Sequence, residues 1–150
     1  MSEKKDFSSM IPFIQDTIPI VKYGGVKVEK LEERDIILSM PTENNLNHVG
    51  IMYAGSTFIL LEMAGAALFA TTYDIFKYIL INAGMSIKYL KPATTKLQCH
   101  LTITREEADA MMKPIEEKGK GRWPLKLQAV DENGVVVAEA ECNYFVRVNQ

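Results

Sequence analysis

Apolar and small residues fill one long segment of the chain, from Ala54 to Tyr73, and Glu62 is the only charged residue within it. A helix that is apolar on all its faces is normally buried in a protein core. Small residues such as Gly65 and Ala67 would let a sheet approach its backbone closely. The pattern therefore predicts one long central helix at about residues 53–73.

Alternating apolar and polar residues, the pattern of half-buried strands, occur on both sides of this segment. The segments that carry the pattern are residues 21–30, 36–40, 78–91, 95–104, 122–131 and 135–148. In the first of them, Gly24 and Gly25 predict a β-bulge. Asn133 and Gly134 predict a type I′ turn between the last two strands, because both residues tolerate a positive φ.

Two shorter patterns predict further helices. Residues 7–17 are amphipathic with the period of a helix. Thr104, followed three residues later by Glu107, matches a capping box and predicts a helix that starts there. We expect Pro114 to end or kink that helix, and residues 116–122 to form a solvated connector.

These elements predict a single domain, residues 1–150, of the α+β class, in which an antiparallel sheet wraps around one long buried helix. A chain of 150 residues is long enough to bury most of the surface that its unfolded form exposes. The central helix approaches the ~20 residues that a membrane span requires. Glu62 would then lie near the bilayer centre, so a core helix is the better interpretation.

Composition and charge argue against several classes of function. The formal net charge of −2 gives no basic surface for nucleic acid. Cys99 and Cys142 have no metal-ligand spacing and are expected to be reduced, buried thiols. We expect neither a metal nor another cofactor. The first residues lack the apolar run of a signal peptide, and we expect a cytoplasmic protein.

Glu62 is the first candidate for chemistry. An isolated carboxylate in apolar surroundings is expensive to keep ionised, and desolvation raises its pKa. The alternative is a structural carboxylate that a backbone or Asn partner satisfies. The functional interpretation is favoured because the start of the predicted helix also has features of a binding site.

That helix start is the second candidate. The N–H groups of Tyr53, Ala54 and Gly55 would lack intrahelical acceptors, and the positive end of the helix dipole stabilises an oxyanion. Asn47 and Tyr53 add side-chain donors nearby. Gly55 and Glu62 face the same way but lie roughly 10 Å apart along the helix axis. If both act on one reacting carbon, they come from two subunits, which predicts a site shared across a two-fold dimer.

A spaced motif covers the same region. It consists of Asn47, Gly50, Tyr53, Ala54, Gly55 and Glu62. The spacing resembles that of hot-dog-fold acyl-CoA thioesterases of the phenylacetate-degradation type, which usually have His and Gly at positions 53 and 54. Residues 87–93 are similar to the strand that follows the helix in that family. The resemblance covers most of the chain from about residue 18 onward and implies a hot-dog fold and thioester hydrolysis.

The resemblance also implies residue roles. Glu62 would attack the thioester or activate water, the Ala54 and Gly55 amides would polarise the carbonyl, and Asn47 would orient substrate or water. An acyl-CoA would be the substrate, and a homodimer or a dimer of dimers would form the site. The acyl pocket is expected to be lined by Phe58, Ile59 and Phe69. Tyr53 is expected at the helix start, and Lys88 and Lys91 at the phosphates of coenzyme A.

Other functions stay open at this point. A non-catalytic acyl-CoA binding module is the leading alternative, because Tyr53 and Ala54 depart from the family pattern. A hydratase or dehydratase of the same fold would need a catalytic histidine, and neither His48 nor His100 is convincingly placed. The carrier, coenzyme A or an acyl carrier protein, is also undecided.

Overall fold

The computed structural model describes residues 3–150. The helices are α1 Ile11–Asp16, α2 Pro19–Gly24, α3 Ala54–Thr72 and α4 Arg105–Lys118, and a 3-10 turn, Ser8–Met10, precedes α1. The strands are β1 Lys27–Glu32, β2 Asp35–Met40, β3 Tyr78–Tyr89, β4 Leu97–Thr102, β5 Lys120–Val130 and β6 Val136–Val148.

The six strands form one sheet in the order β1-β2-β4-β5-β6-β3, and every neighbouring pair is antiparallel. Alternate residues of the central strands point to one face and are fully buried, among them Leu38, Leu97 and Leu127. Helix α3 packs on this inner face, mainly against β2, β4 and β5. The predicted α+β fold, an antiparallel sheet around one long helix, is confirmed.

Helix α3 is the core element of the fold. Its length and composition would suit a membrane span, since an 18-residue stretch of it has a mean hydropathy of 1.4. However, 61% of that stretch is buried inside the protein. Leu60, Leu61 and Ala64 have no exposed surface. The apolar character of α3 is therefore explained by the sheet that covers it.

The predicted first strand is wrong over its first half. Residues 19–24 form α2, which starts with a proline at a favourable position. Gly25 ends this helix with a φ of 75°, the left-handed conformation that favours glycine. Strand β1 follows, and its register irregularity lies between Val28 and Lys30 rather than at Gly24.

Helix α4 is longer than predicted. The capping box is confirmed, because the Thr104 side chain accepts from the Glu107 N–H and the Glu107 carboxylate accepts from the Thr104 N–H. Pro114 lies on the exposed side and does not end the helix. Ile115, which is 1% exposed, anchors the last turn, and its burial offsets the hydrogen bond that proline cannot donate. The predicted connector at residues 116–122 is therefore wrong.

The β5–β6 hairpin is confirmed, but its turn type is wrong. Within the turn only Gly134 has a positive φ, 79°. The Asp131 carboxylate accepts hydrogen bonds of 2.9 Å from the N–H groups of Asn133 and Val135. An aspartate often stabilises a turn in this way, so Asn133 does not need the left-handed conformation.

Candidate functional site

One face of α3 is not covered by the sheet. The residues along it that keep solvent contact include Ala54, Phe58, Glu62, Ala66 and Ala70. The Glu62 carboxylate has no hydrogen-bond or ion-pair partner among residues 3–150, and burial alone raises its pKa above the ordinary 4.5. The alternative of a carboxylate held by an internal partner therefore finds no support in the described part of the chain.

Tyr144 supports the turn of α3 that carries Glu62. It is completely buried, and its hydroxyl donates a hydrogen bond of 2.6 Å to the Glu62 carbonyl oxygen. Gly65 makes this approach possible, since a Cβ there would lie 2.7 Å from Cζ of the Tyr144 ring. The contact fixes α3 against β6 at the position of Glu62.

The start of α3 presents two free amides. Tyr53 is the N-cap residue, with an extended backbone at φ −60° and ψ 136°. Its carbonyl oxygen accepts from the N–H groups of Ser56, at 3.0 Å, and Thr57, at 3.2 Å. The N–H groups of Ala54 and Gly55 have no acceptor within residues 3–150. Two adjacent amides at the positive end of a helix can stabilise an oxyanion.

Two tyrosines border these amides. Tyr53 is 57% exposed, and its ring lies so close to Gly55 that a Cβ there would be 2.6 Å from ring carbon Cε1. Tyr89, the last residue of β3, donates a hydrogen bond of 2.9 Å to the Ala54 carbonyl oxygen. This hydrogen bond holds the end of β3, at the edge of the sheet, against the start of α3.

Asn47 shapes the loop before α3. Its side-chain oxygen accepts hydrogen bonds from the N–H groups of Val49, at 3.0 Å, and Ile51, at 3.2 Å. Its side-chain NH₂ makes no hydrogen bond with another described residue. Asn47 therefore combines a structural role in the loop with a donor that is available to a ligand.

A cavity of about 330 Å³ opens between this loop, the start of α3 and the end of β3. Apolar side chains form most of its wall, and Asn47, Thr57, Tyr89 and Lys91 contribute polar groups. A larger open groove of about 850 Å³ runs over strands β3, β5 and β6, lined by residues such as Arg122. None of the residues that line this groove belongs to α3 or to the loop before it, so the smaller cavity is the one that adjoins the free amides.

The remaining predicted site residues fall into two groups. Phe58, 39% exposed, and Ile59, half-buried, lie on the uncovered side of α3, and Lys91 borders the cavity. Lys88 lies on the outer face of β3, opposite Glu139 of β6. Within one subunit Lys88 is therefore separated from α3 by the sheet.

Phe69 is a core residue and does not line a surface pocket. It is 2% exposed and packs against Tyr73 and Trp123, with ring centroids at 4.9 and 5.1 Å. The Trp123 indole N–H donates to the Tyr73 hydroxyl at 3.2 Å, and that hydroxyl donates to the Ala108 carbonyl at 2.8 Å. Burial raises the pKa of Tyr73 to about 12, so this network is neutral and structural.

Neither histidine nor cysteine side chains join the site. His48 is exposed in the loop, and His100 lies on the outer face with Nε2 2.7 Å from an Asp35 carboxylate oxygen. Cys99 and Cys142 are buried free thiols, and burial raises the pKa of Cys99 to about 12. Residues 3–150 contain no cluster of three His, Cys, Asp or Glu side chains that could hold a metal.

Sequence reasoning missed three side chains near this site, namely Thr57, Tyr89 and Tyr144. Each fits the apolar or alternating pattern of its own element, so a single sequence gives no signal that singles it out. One chain also leaves Glu62 and the free amides about two helical turns apart, roughly 10 Å along the axis. They do not converge on one atom within a subunit.

The fold is that of the hot-dog-fold thioesterases. The chain belongs to the family described as "Putative thioesterase (yiiD_Cterm)", whose model matches residues 8–148. The resemblance to hot-dog-fold thioesterases is thus confirmed. A search of curated proteins gave no match.

Solved structures agree with this assignment. PA5026 from Pseudomonas aeruginosa, described as a protein of unknown function and probable thioesterase, is 32% identical, with a TM-score of 0.91 and 97% of each chain covered. OLEI01261 from Chlorobaculum tepidum TLS, of unknown function, is 20% identical, with a TM-score of 0.79 and coverage of 94% of this chain and 93% of that one. A mutant of the thioesterase PA1618 from Pseudomonas aeruginosa is 13% identical, with a TM-score of 0.74 and coverage of 99% and 98%. The latter two similarities concern the fold.

Proposed function

We propose that this protein hydrolyses an acyl-CoA or related thioester in sites that two subunits share. The observation that carries the proposal is Glu62, a partly exposed carboxylate with a raised pKa and no partner in the described chain. It lies on the uncovered face of an otherwise apolar helix. Membership of a thioesterase family supports the reaction class.

The proposed chemistry uses a base and an oxyanion site. Ionised Glu62 takes a proton from water while the water oxygen bonds to the thioester carbon. The former carbonyl oxygen becomes negative and accepts hydrogen bonds from the Ala54 and Gly55 amides. When this intermediate collapses, the carbon–sulfur bond breaks and the thiolate takes the proton that Glu62 holds, which returns Glu62 to its ionised form. The products are a carboxylic acid and a thiol, and the good leaving group makes these two elements sufficient.

The shared site follows from the position of β3. This 12-residue strand is at one edge of the sheet, where unpaired backbone groups can add a second strand. Tyr89 of β3 contacts the start of α3, and Tyr144 of the neighbouring β6 contacts its middle. The uncovered face of α3 therefore adjoins this edge. Two copies joined along β3 by a two-fold axis would bring Glu62 of one towards the free amides of the other.

The substrate would extend in two directions from the free amides. Phe58 and Ile59 offer apolar surface on the uncovered side of α3, where an acyl chain would lie between subunits. Lys91 borders the cavity near the helix start and would attract the phosphates of coenzyme A. Lys88, on the outer face, would contribute only through another subunit.

Thiol release from short, long and aromatic acyl-CoAs tests this function. The Glu62→Gln variant keeps the size of the side chain but removes the base, and we expect thiol release to fall by roughly 10²-fold or more. Glu117→Gln, an exposed change on α4, is the matched control and should behave like wild type. Equal release by wild type and Glu62→Gln would overturn the role of Glu62.

A non-catalytic acyl-CoA binding module is the second candidate. Two observations favour it: the Tyr53 ring crowds Gly55, and the Asn47 side-chain oxygen is already engaged in its loop. This candidate predicts saturable binding of acyl-CoA without thiol release. Calorimetric titration with the same substrates separates the two functions.

A further inference from the structure

Thr57 places a hydroxyl in the wall of the cavity next to the free amides. The residue is 3% exposed, and its hydroxyl makes no hydrogen bond with another residue in the range 3–150. In the described chain, every side-chain oxygen or nitrogen that is fully removed from solvent has a hydrogen-bond partner. The Thr57 oxygen is therefore not fully enclosed, and Thr57 is one of the residues that line the cavity.

Other threonines of α3 behave differently. The hydroxyls of Thr71 and Thr72 donate to the Leu68 carbonyl oxygen, at 3.1 and 2.6 Å, which is the usual bond of a threonine inside a helix. At Thr57 the corresponding carbonyl belongs to Tyr53, and it already accepts two backbone N–H groups. The Thr57 hydroxyl is thus left available to a molecule in the cavity.

The surrounding wall makes this hydroxyl a selective feature. Ile51, Met52 and Val137 form apolar parts of the wall, and a pocket of this kind fixes its ligand with a few well-placed polar groups. A site that hydrogen-bonds its substrate discriminates strongly against analogues that lack the bonding group, because its own polar group is then left unpaired.

We propose that Thr57 is a substrate-binding residue, whose hydroxyl hydrogen-bonds a polar group of the thioester near its reacting carbonyl. The inference rests on the proposed function, since it takes the Ala54 and Gly55 amides as the site of that carbonyl. Thr57 lies three residues beyond Ala54, about 4.5 Å along the axis. The matching group is an amide or hydroxyl a few bonds from the thioester carbon.

Two parts of a thioester can supply this chemistry. One is the first amide of the pantetheine arm on the thiol side, and the other is a hydroxyl on the acyl side. Four thioesters distinguish the two possibilities. Butanoyl and 3-hydroxybutanoyl groups differ in the acyl hydroxyl, and each is joined either to N-acetylcysteamine, which has the amide, or to pentane-1-thiol, which lacks it. For each of the four thioesters, kcat/KM for thiol release is measured.

Three variants give the comparison. Thr57→Val keeps the shape of the side chain and removes the hydroxyl, while Thr57→Ser keeps the hydroxyl. Ser56→Ala is the matched control, because Ser56 is a buried hydroxyl residue in the same turn, 7% exposed, that does not line the cavity. Thermal unfolding of each variant establishes that it is folded.

We expect Thr57→Val to lower kcat/KM by roughly 10-fold or more, but only for substrates that carry the bonding group. A loss confined to the N-acetylcysteamine thioesters assigns the bond to the carrier amide. A loss confined to the hydroxybutanoyl thioesters assigns it to the acyl chain. Thr57→Ser and Ser56→Ala should retain the wild-type pattern.

Two results would overturn the role of Thr57: no change in Thr57→Val, or an equal loss on all four thioesters. Failure of the proposed function looks different, because wild type would then release no thiol from any thioester. In that case, calorimetry with ketone analogues, in which CH₂ replaces the sulfur, compares binding by wild type and Thr57→Val. Equal binding, or none, overturns the inference.

Discussion

Glu62 differs from the other acidic residues in the direction of its pKa shift. Within residues 3–150, five other carboxylates have shifted pKa values, and all five are lowered by hydrogen bonds to cations, hydroxyls or backbone N–H groups. They are Asp6, Glu32, Glu33, Asp35 and Glu116. Glu62 alone is raised, because burial is its only influence. A carboxylate in this state is a stronger base than a paired one.

This shift predicts the pH dependence of the reaction. In the proposed mechanism the ionised carboxylate is the active form, so kcat/KM should rise with pH and level off above the raised pKa of Glu62. The midpoint should lie above 4.5, the ordinary value. A pH–rate profile for an acyl-CoA measures it. A midpoint at or below the ordinary value would contradict the assignment of Glu62 as the base.

The same shift has a consequence for stability. A folded-state pKa above the unfolded value means that the native state binds more protons, so the free energy of unfolding falls as pH rises through that interval. Glu62→Gln removes the titrating group, so the free energy of unfolding of this variant should not fall over that pH interval. Urea unfolding at several pH values between the ordinary and raised pKa measures the difference.

At the scale of elements, the packing of α3 on the sheet decides where Glu62 lies. The apolar pattern predicted α3 almost to the residue, because burial and helical period agree over its whole length. The pattern failed where two tendencies compete. Residues 21–24, predicted as the start of the first strand, lie in helix α2, which Gly25 ends. Burial of Ile115 extends α4 past Pro114.

The site itself was only partly predictable from the sequence. Glu62 and Gly55 carry local signals, a charge in an apolar run and a glycine at a helix start. Tyr144 and Thr57 matter through contacts that only the fold creates, a hydrogen bond to a distant carbonyl and a hydroxyl in a cavity wall. Periodicity and spacing in the sequence do not identify residues of that kind.

Gly65 tests the contact between α3 and β6. In Gly65→Ala the new Cβ would lie 2.7 Å from two ring carbons of Tyr144, and we expect a loss of about 1–3 kcal/mol in the free energy of unfolding. Gly84→Ala is the matched control, since nothing lies within 4 Å of its Cβ, and it should change stability by less than about 0.5 kcal/mol. Urea denaturation measures both, and equal stability of the two variants would contradict the close contact.

At the scale of the whole molecule, the fold separates two faces of the sheet. The inner face holds α3, and the outer face carries polar groups such as Lys88 and His100. The free amides and Glu62 occupy different turns of α3, and both adjoin the β3 edge. A complete site in the proposed arrangement therefore requires two chains.

The most direct test of this account mixes two defective subunits. Glu62→Gln lacks the base, and Ala54→Pro lacks one oxyanion donor while keeping the helix, because proline fits the first helical position and the Tyr53 ψ of 136° suits a residue before proline. Ala54→Gly, which keeps the amide, is the control for the second variant. Each defective variant alone should release thiol slowly.

Co-refolded, the two variants should recover about a quarter of wild-type activity, because half of the dimers are mixed and each mixed dimer carries one intact site. Thiol release after co-refolding, with each variant refolded alone for comparison, gives the result. Recovery to that level is the outcome that a shared carboxylate and helix start predict. Activity that stays at the average of the two separate variants would contradict the shared site.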